Sequence, residues 1–243
     1  MASQLLAALD IRGLSAAYEG HLVLHDIELA VAAGEWFVVL GPNGSGKSTL
    51  LDCVVGRKRP SSGSVTIANH DLFTSPLAAK RLLGYAVAPE HLPAVLNGWQ
   101  CLEVHAAVKG LKALDTEVLA LAESLRLSPW LANPVATFSF GTRQKLSLLL
   151  ALLGEPRLVV LDETLNGMDP SSALTAKQHL LQRVRAGRSG VLLATHSLDL
   201  VEHYADRAAL IVEGRLLQTW QACELDRLRE IGGLESALAC AAS

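Results

Sequence analysis

No uninterrupted apolar run reaches the roughly 18 residues that a membrane span demands, although half of the 243 residues are hydrophobic and the mean hydropathy is +0.31. The longest candidate, Leu146 to Leu153, is ended by Gly154, Glu155 and Arg157. The apolar content is therefore expected in a buried parallel sheet and a hydrophobic docking surface. A basic excess is also missing: 21 Lys and Arg stand against 24 Asp and Glu, a net charge of −3. Binding to a nucleic-acid backbone needs a concentrated basic surface, so no nucleic-acid partner is expected. The four cysteines, Cys53, Cys101, Cys223 and Cys240, show neither CxxC spacing nor a nearby His pair. They read as reduced thiols without a metal or disulfide role. Met1 to Asp10 lacks the basic n-region of a signal peptide, and no repeat, low-complexity tract or long linker interrupts the chain.

What is present alternates. Ile11 and Leu14, Leu22 to Leu24, then Ile27, Leu29 and Val31 form short apolar runs that predict a small antiparallel sheet. After Ala33-Gly34, the run Trp36 to Leu40 has the continuous apolar character of a strand buried on both faces. Ser48 to Val55 predicts a helix closed by Gly56, and Gly63 to Ala68 a further strand. Trp99 to Val108 and Thr116 to Leu127 carry helical spacing and suggest an inserted helical lobe. From Gly141 the pattern is helix, strand (Leu158–Leu161), helix (Ser171–Arg185), strand (Val191–Thr195), helix, strand (Ala208–Val212). Such alternation predicts an α/β fold whose mostly parallel sheet carries ligands at the carboxyl ends of its strands.

The segment Gly41-Pro42-Asn43-Gly44-Ser45-Gly46-Lys47-Ser48, followed by Thr49, satisfies GxxxxGK[ST] between a predicted strand and a predicted helix. Its glycines let successive backbone N–H groups turn inward on phosphate oxygens, and the helix start adds its positive end. Lys47 can reach terminal phosphates, and the Ser48 hydroxyl can ligate Mg²⁺. Farther on, the apolar strand Leu158 to Leu161 ends in Asp162 and Glu163. A carboxylate pair there suits one group on the metal and a second facing an attacking water as base or water-positioning residue.

With these motifs in place, the chain resembles the ATP-binding subunits of ABC transporters over nearly its whole length, most of all those of ABC-2-type exporters. Phe138-Ser139-Phe140-Gly141-Thr142 matches that family's LSGGQ signature, with Ser139 and Gly141 at the matching positions. Asn166 to Pro170 resembles the D-loop and contains Asp169; His196, after Leu193-Ala194-Thr195, matches the switch histidine; Tyr18 matches the aromatic residue that stacks on adenine. The resemblance implies a single ABC ATPase domain of the P-loop NTPase type. Residues 1–84 and 141–243 would form its nucleotide-binding core with an N-terminal antiparallel β-subdomain, and residues 85–140 a helical subdomain. It further implies hydrolysis of MgATP between two head-to-tail subunits, homo- or heterodimeric, that drive a separate transmembrane permease from the cytoplasmic face of the membrane. Membrane contact would come through the permease only. Tyr18, the phosphate loop, Ser139 and Gly141 would bind nucleotide; Ser48 and Asp162 would hold Mg²⁺; Glu163, His196 and Asp169 would serve catalysis.

Three departures stand out. Phe140 and Thr142 replace a glycine and the glutamine of the signature, and a side chain at the glycine position is expected to obstruct backbone approach to phosphate. After Leu83-Gly84-Tyr85 the family usually carries a glutamine that reaches Mg²⁺ and senses the membrane partner, but here counting reaches Ala88, with Glu90 the nearest group able to touch the metal. Thr164-Leu165 replaces the usual Pro-Thr after the acidic pair. Residues 90–102, with His91, Leu92, Pro93, Trp99 and Cys101, fall where the permease would dock, as exposed patch or as lobe core. The altered signature and absent glutamine motivate an alternative, a hydrolysis-impaired regulatory switch. A non-transport ABC ATPase is the other alternative, but no long coiled-coil insertion or second ATPase domain is present, and no NKxD motif supports a GTPase.

Overall fold

The computed structural model describes residues 7–233 and 235–237; Cys240 lies outside them. The chain opens with a long hairpin of β1 (Ala7–Tyr18) and β2 (His21–Ala32). Its two-residue turn, Glu19-Gly20, has φ of 49° and 85°, the paired positive values that match the twist of the flanking strands. Leu9, Ile11, Leu14 and Ala16 of β1 and Leu24, Ile27, Leu29 and Val31 of β2 are buried, so one face of the hairpin is a core wall.

There follow β3 (Trp36–Leu40), α1 (Lys47–Val54), β4 (Ser62–Ile67), β5 (His70–Asp71), α2 (Pro76–Arg81) and β6 (Leu83–Ala86). The middle of the chain is helical, with α3 (Gly98–Lys109) and α4 (Thr116–Ser124). Then come α5 (Phe140–Leu152), β7 (Leu158–Asp162), α6 (Pro170–Arg185), β8 (Gly190–Thr195), α7 (Leu198–Tyr204), β9 (Arg207–Val212), β10 (Arg215–Trp220) and α8 (Ala222–Glu230). Four strands form the antiparallel sheet β2-β1-β4-β5, and six form β10-β9-β3-β8-β7-β6. In the second sheet β6, β7, β8, β3 and β9 run parallel and β10 returns antiparallel at the edge.

The six-stranded sheet separates two cores, because successive side chains of a strand point to opposite faces. Trp36, Val38 and Leu40 of β3 pack with residues of α4, α5 and α6, whereas Phe37 and Val39 pack with the hairpin and α1. β7 and β8 divide the same way: Val159, Leu161, Val191 and Leu193 face one core, and Leu158, Val160, Leu192 and Ala194 the other. This explains the unbroken apolar runs of these strands. It also sends the ends of β3, β7 and β8 to one edge, where Gly41, Asp162 and Thr195 stand.

Several elements differ from expectation. The run Leu22–Leu24 is the start of one continuous strand rather than a separate piece. β6 has only four residues and includes Gly84 and Ala86, weak strand formers held by pairing with β7. β10 is largely exposed and has no apolar alternation to betray it. Leu92, Cys101 and Leu102 are core residues, so the docking-patch reading fails for them; Val95 is 89% exposed and Trp99 36%.

Candidate active site

The chain leaves β3 through Gly41, where an added Cβ would run into the Ile211 carbonyl and lie 2.6 Å from the Ser45 hydroxyl. Gly44 and Gly46 have φ of 79° and 107°, a region a side chain disfavours. Gly46 is the N-cap of α1, so the loop delivers backbone N–H groups and a helix start together. Lys47 is buried and its ammonium donates to the carbonyls of Gly41 (2.6 Å) and Pro42 (3.0 Å), bending back over the loop. The Ser45 hydroxyl is buried without a hydrogen-bond partner. A buried donor of that kind costs about 1–3 kcal/mol when unsatisfied, and an anion in the loop would satisfy it. Gly214, in the turn before β10, supports the loop by donating to the Ser45 carbonyl at 2.9 Å. A Cβ at Gly214 would strike the Val23 carbonyl. Sequence reading had no signal for that residue, which meets the loop only through the fold.

Asp162 ends β7 opposite Ala194 of β8. Burial pushes its carboxyl up from the ordinary value, the Glu163 carboxylate adds to this, and Lys47 and the Ser48 hydroxyl pull it back. Ser48 and Lys47, in the first turn of α1, thus lie close to Asp162 at the end of β7. Glu163 has φ of 49°, unusual for a residue with a side chain and of the kind that collects where geometry is over-determined. Its N–H donates to the Ala194 carbonyl at 3.1 Å. Its Oε2 accepts from the Thr195 hydroxyl at 3.1 Å and from the Asn166 amide. Its Oε1 accepts from the His196 N–H at 3.0 Å and lies 2.7 Å from His196 Nδ1. Thr195 is buried while the His196 side chain is 70% exposed, so the carboxylate is fixed from the core side and open toward the histidine. The holding roles of Thr195 and Asn166 were missed in sequence because neither type is distinctive alone.

The signature residues sit apart. Ser139 is the N-cap of α5, its Oγ accepting from the Thr142 N–H at 3.2 Å and lying 2.7 Å from the Thr142 hydroxyl. Thr142, in the place of a glutamine, completes this cap. Gly141 packs closely on the turn bearing Gly167: an added Cβ would lie 2.8 Å from the Gly167 carbonyl. Phe140 is 59% exposed and its ring edge lies against Gly167. Asp169 caps α6 through the Ser172 N–H at 3.0 Å and pairs with Lys145 of α5 at 2.8 Å. Lys145, then the Ser172 N–H, hold the Asp169 carboxyl well below the usual carboxylate range. Among the described residues, no hydrogen bond joins Ser139 to the phosphate loop.

Tyr18 ends β1, is 47% exposed, and carries the Lys58 ammonium 3.5 Å above its ring centroid. Ala88 precedes a single 3₁₀ turn, Pro89–His91, on which Glu90 is exposed. Thr49 lies half-buried in the first turn of α1. Among the described residues no helix is long and apolar enough to cross a membrane, and no group of three or more His, Cys, Asp or Glu could hold a metal ion. A cation here would need the phosphates as further ligands, which suits an Mg²⁺ site.

Comparison with known proteins agrees with this geometry. The family model described as ABC transporter matches residues 24–166. The chain is 36% identical over 209 residues to the ABC transporter ATP-binding protein YdbJ of Bacillus subtilis, covering 86% of this chain and 67% of that one. It is likewise 36% identical over 209 residues to ATP-binding cassette sub-family A member 7 of Rattus norvegicus, covering 84% of this chain but only 10% of that protein. A solved structure of an ATP-binding subunit of an ABC transporter superposes with a TM-score of 0.85 at 29% identity, over 96% of this chain and 98% of that one. The carboxylate pair beside a glycine loop, the capped Ser139 helix and these likenesses point one way: the chain belongs to the ABC transporter family, as an ATP-binding domain.

Proposed function

We propose that the chain binds and hydrolyses MgATP and energises a transmembrane permease, working as one of two head-to-tail ATP-binding subunits. The observation that carries this reading is Glu163, aimed by Thr195, Asn166 and His196 beside Asp162 and the phosphate loop. Lys47, the loop N–H groups and the Ser45 hydroxyl take the phosphates, with Gly41, Pro42, Asn43, Gly44, Gly46 and Thr49 shaping the cradle. Ser48 and Asp162 hold Mg²⁺, which when bound would neutralise phosphate charge. Glu163 orients the attacking water and accepts its proton; His196, hydrogen-bonded to Glu163 and otherwise exposed, contacts the terminal phosphate. Tyr18 offers its ring to the base.

Ser139, exposed at the α5 N-terminus, and the half-buried Gly141 beside it serve the nucleotide of a second subunit, homologous or identical. Asp169 ties that helix start to α6, which follows the Glu163 turn. Residues 85–140 act as the helical lobe, and 1–84 with 141–243 as the nucleotide-binding core. The subunit lies at the cytoplasmic face of the membrane and reaches it through the permease. The test is phosphate release from the purified chain with MgATP, run beside Glu163→Gln and Lys47→Ala, with size-exclusion chromatography of the Glu163→Gln form. Turnover that needs both residues, with ATP-dependent dimers of Glu163→Gln, is the expected outcome. ATP binding without turnover in the unaltered chain would favour the regulatory switch that Ala88 and Phe140 suggest.

A further inference from the structure

Arg57 follows α1 directly after Gly56, and its guanidinium meets three parts of the fold. Nη1 donates to the Tyr85 hydroxyl of β6 at 3.3 Å, and the guanidinium lies 5.4 Å from the centre of the Tyr85 ring. Nη2 lies 3.4 Å from His91 Nδ1, in the turn that precedes the helical stretch. Nη1 is also 3.7 Å from the Asp52 carboxylate of α1. β6 pairs with β7 so that Tyr85 stands opposite Val160 and Ala86 opposite Leu161, the residue before Asp162. The Tyr85 phenol is pushed up chiefly by burial, with the Asp162 and Asp52 carboxylates contributing and Arg57 opposing. Through the pairing of β6 with β7, Tyr85 ties Arg57 to the strand that ends in Asp162. At position 88 a methyl group can reach none of these groups.

We propose that Arg57 is a positioning residue that couples the phosphate-loop helix and the Asp162 strand end to segment 85–91, the entry to the helical lobe. It takes the place left open by the missing glutamine at position 88. This rests on the reading of the chain as an MgATP-binding domain. α1 carries Lys47 and Ser48 at one end and leads to Arg57 at the other. Its eight residues form a rod about 12 Å long, so a shift of its first turn on phosphate arrives at Arg57 as a shift of the guanidinium. The planar fork then moves Tyr85 and His91 together, which a single ammonium could not do.

Trp99 sits in the first turn of α3, close behind the 85–91 segment in sequence, and its emission is separated from that of Trp36, Trp130 and Trp220 by subtracting the signal of the same protein carrying Trp99→Phe. With that subtraction the expected result for Arg57→Gln is an MgATP affinity within about twofold of the parent, with the MgATP-induced change in Trp99 emission reduced about fivefold or more. Arg57→Lys keeps the charge but not the fork and is expected to fail likewise, Tyr85→Phe to give a partial loss, and Ala88→Gln added to Arg57→Gln to restore part of the response. Thermal unfolding of each variant confirms that it folds. A full Trp99 response in Arg57→Gln overturns the proposal, as does a parent that binds MgATP with no Trp99 response. A parent that fails to bind MgATP removes the functional reading itself, and this inference with it.

Discussion

The phosphate loop and the signature segment carry the same kind of chemistry, hydroxyl and backbone N–H groups at a helix start, yet they are built oppositely. The loop lies between the end of β3 and α1 with Ser45 and Lys47 both more than nine-tenths buried. Gly41 and Gly46 are pressed against Ile211 and Leu24. The signature is more open: Ser139 is exposed and Phe140 is 59% exposed, while Gly141 and one edge of the Phe140 ring pack on Gly167. One half-site is closed within the chain, and the other stands open at the surface. On the proposed reading, this difference is why the nucleotide site would need two chains: the inner half would bind alone, and the outer half would act only on another subunit's nucleotide.

The comparison breaks most sharply at Glu163. In Glu163→Gln, turnover should fall by about 10² to 10⁴, the usual contribution of a positioned base, while MgATP binding remains; retained turnover would remove Glu163 from the role. Lys47→Ala tests the inner half. Losing hydrogen bonds from a charged donor costs about 1.5–3 kcal/mol, so nucleotide affinity should weaken about 10- to 150-fold, read by titration with a fluorescent ATP analogue. Ser139→Ala tests the outer half and should leave monomer affinity unchanged while turnover drops about tenfold, one charge-assisted hydrogen bond. A parallel loss of monomer affinity would show that Ser139 serves its own chain's nucleotide.

Asp169 joins the halves, and its effect is the smallest. Asp169→Ala removes the α6 cap at a cost of about 1 kcal/mol. Because the folded carboxyl is held below the unfolded value, this contribution is complete above about pH 5. It is lost as the pH falls through the depressed folded value. The gap between the melting temperatures of parent and variant should therefore start to narrow between about pH 5 and 3 without closing, and a constant gap would show that the cap does not depend on charge.

Much was legible without coordinates where the requirement is local. The glycine spacing of 41–48, the apolar runs of β3, β7 and β8 and the acidic pair after β7 express geometry within a few residues, so the sequence alone determined the α/β core, the phosphate loop and the strand-end carboxylates. The signature lies at a helix start as the resemblance implies, with Thr142 completing the Ser139 cap locally. Only the tertiary structure decided that Phe140 lies along Gly167. It also decided that Leu92 and Cys101 are core residues, that Gly214 braces the phosphate loop, and that Thr195 and Asn166 grip Glu163. Gly214 and Thr195 lie far along the chain from the groups they hold, Asn166 is an ordinary residue type, and the burial of Leu92 and Cys101 depends on packing between elements, so none of these could be read from local sequence.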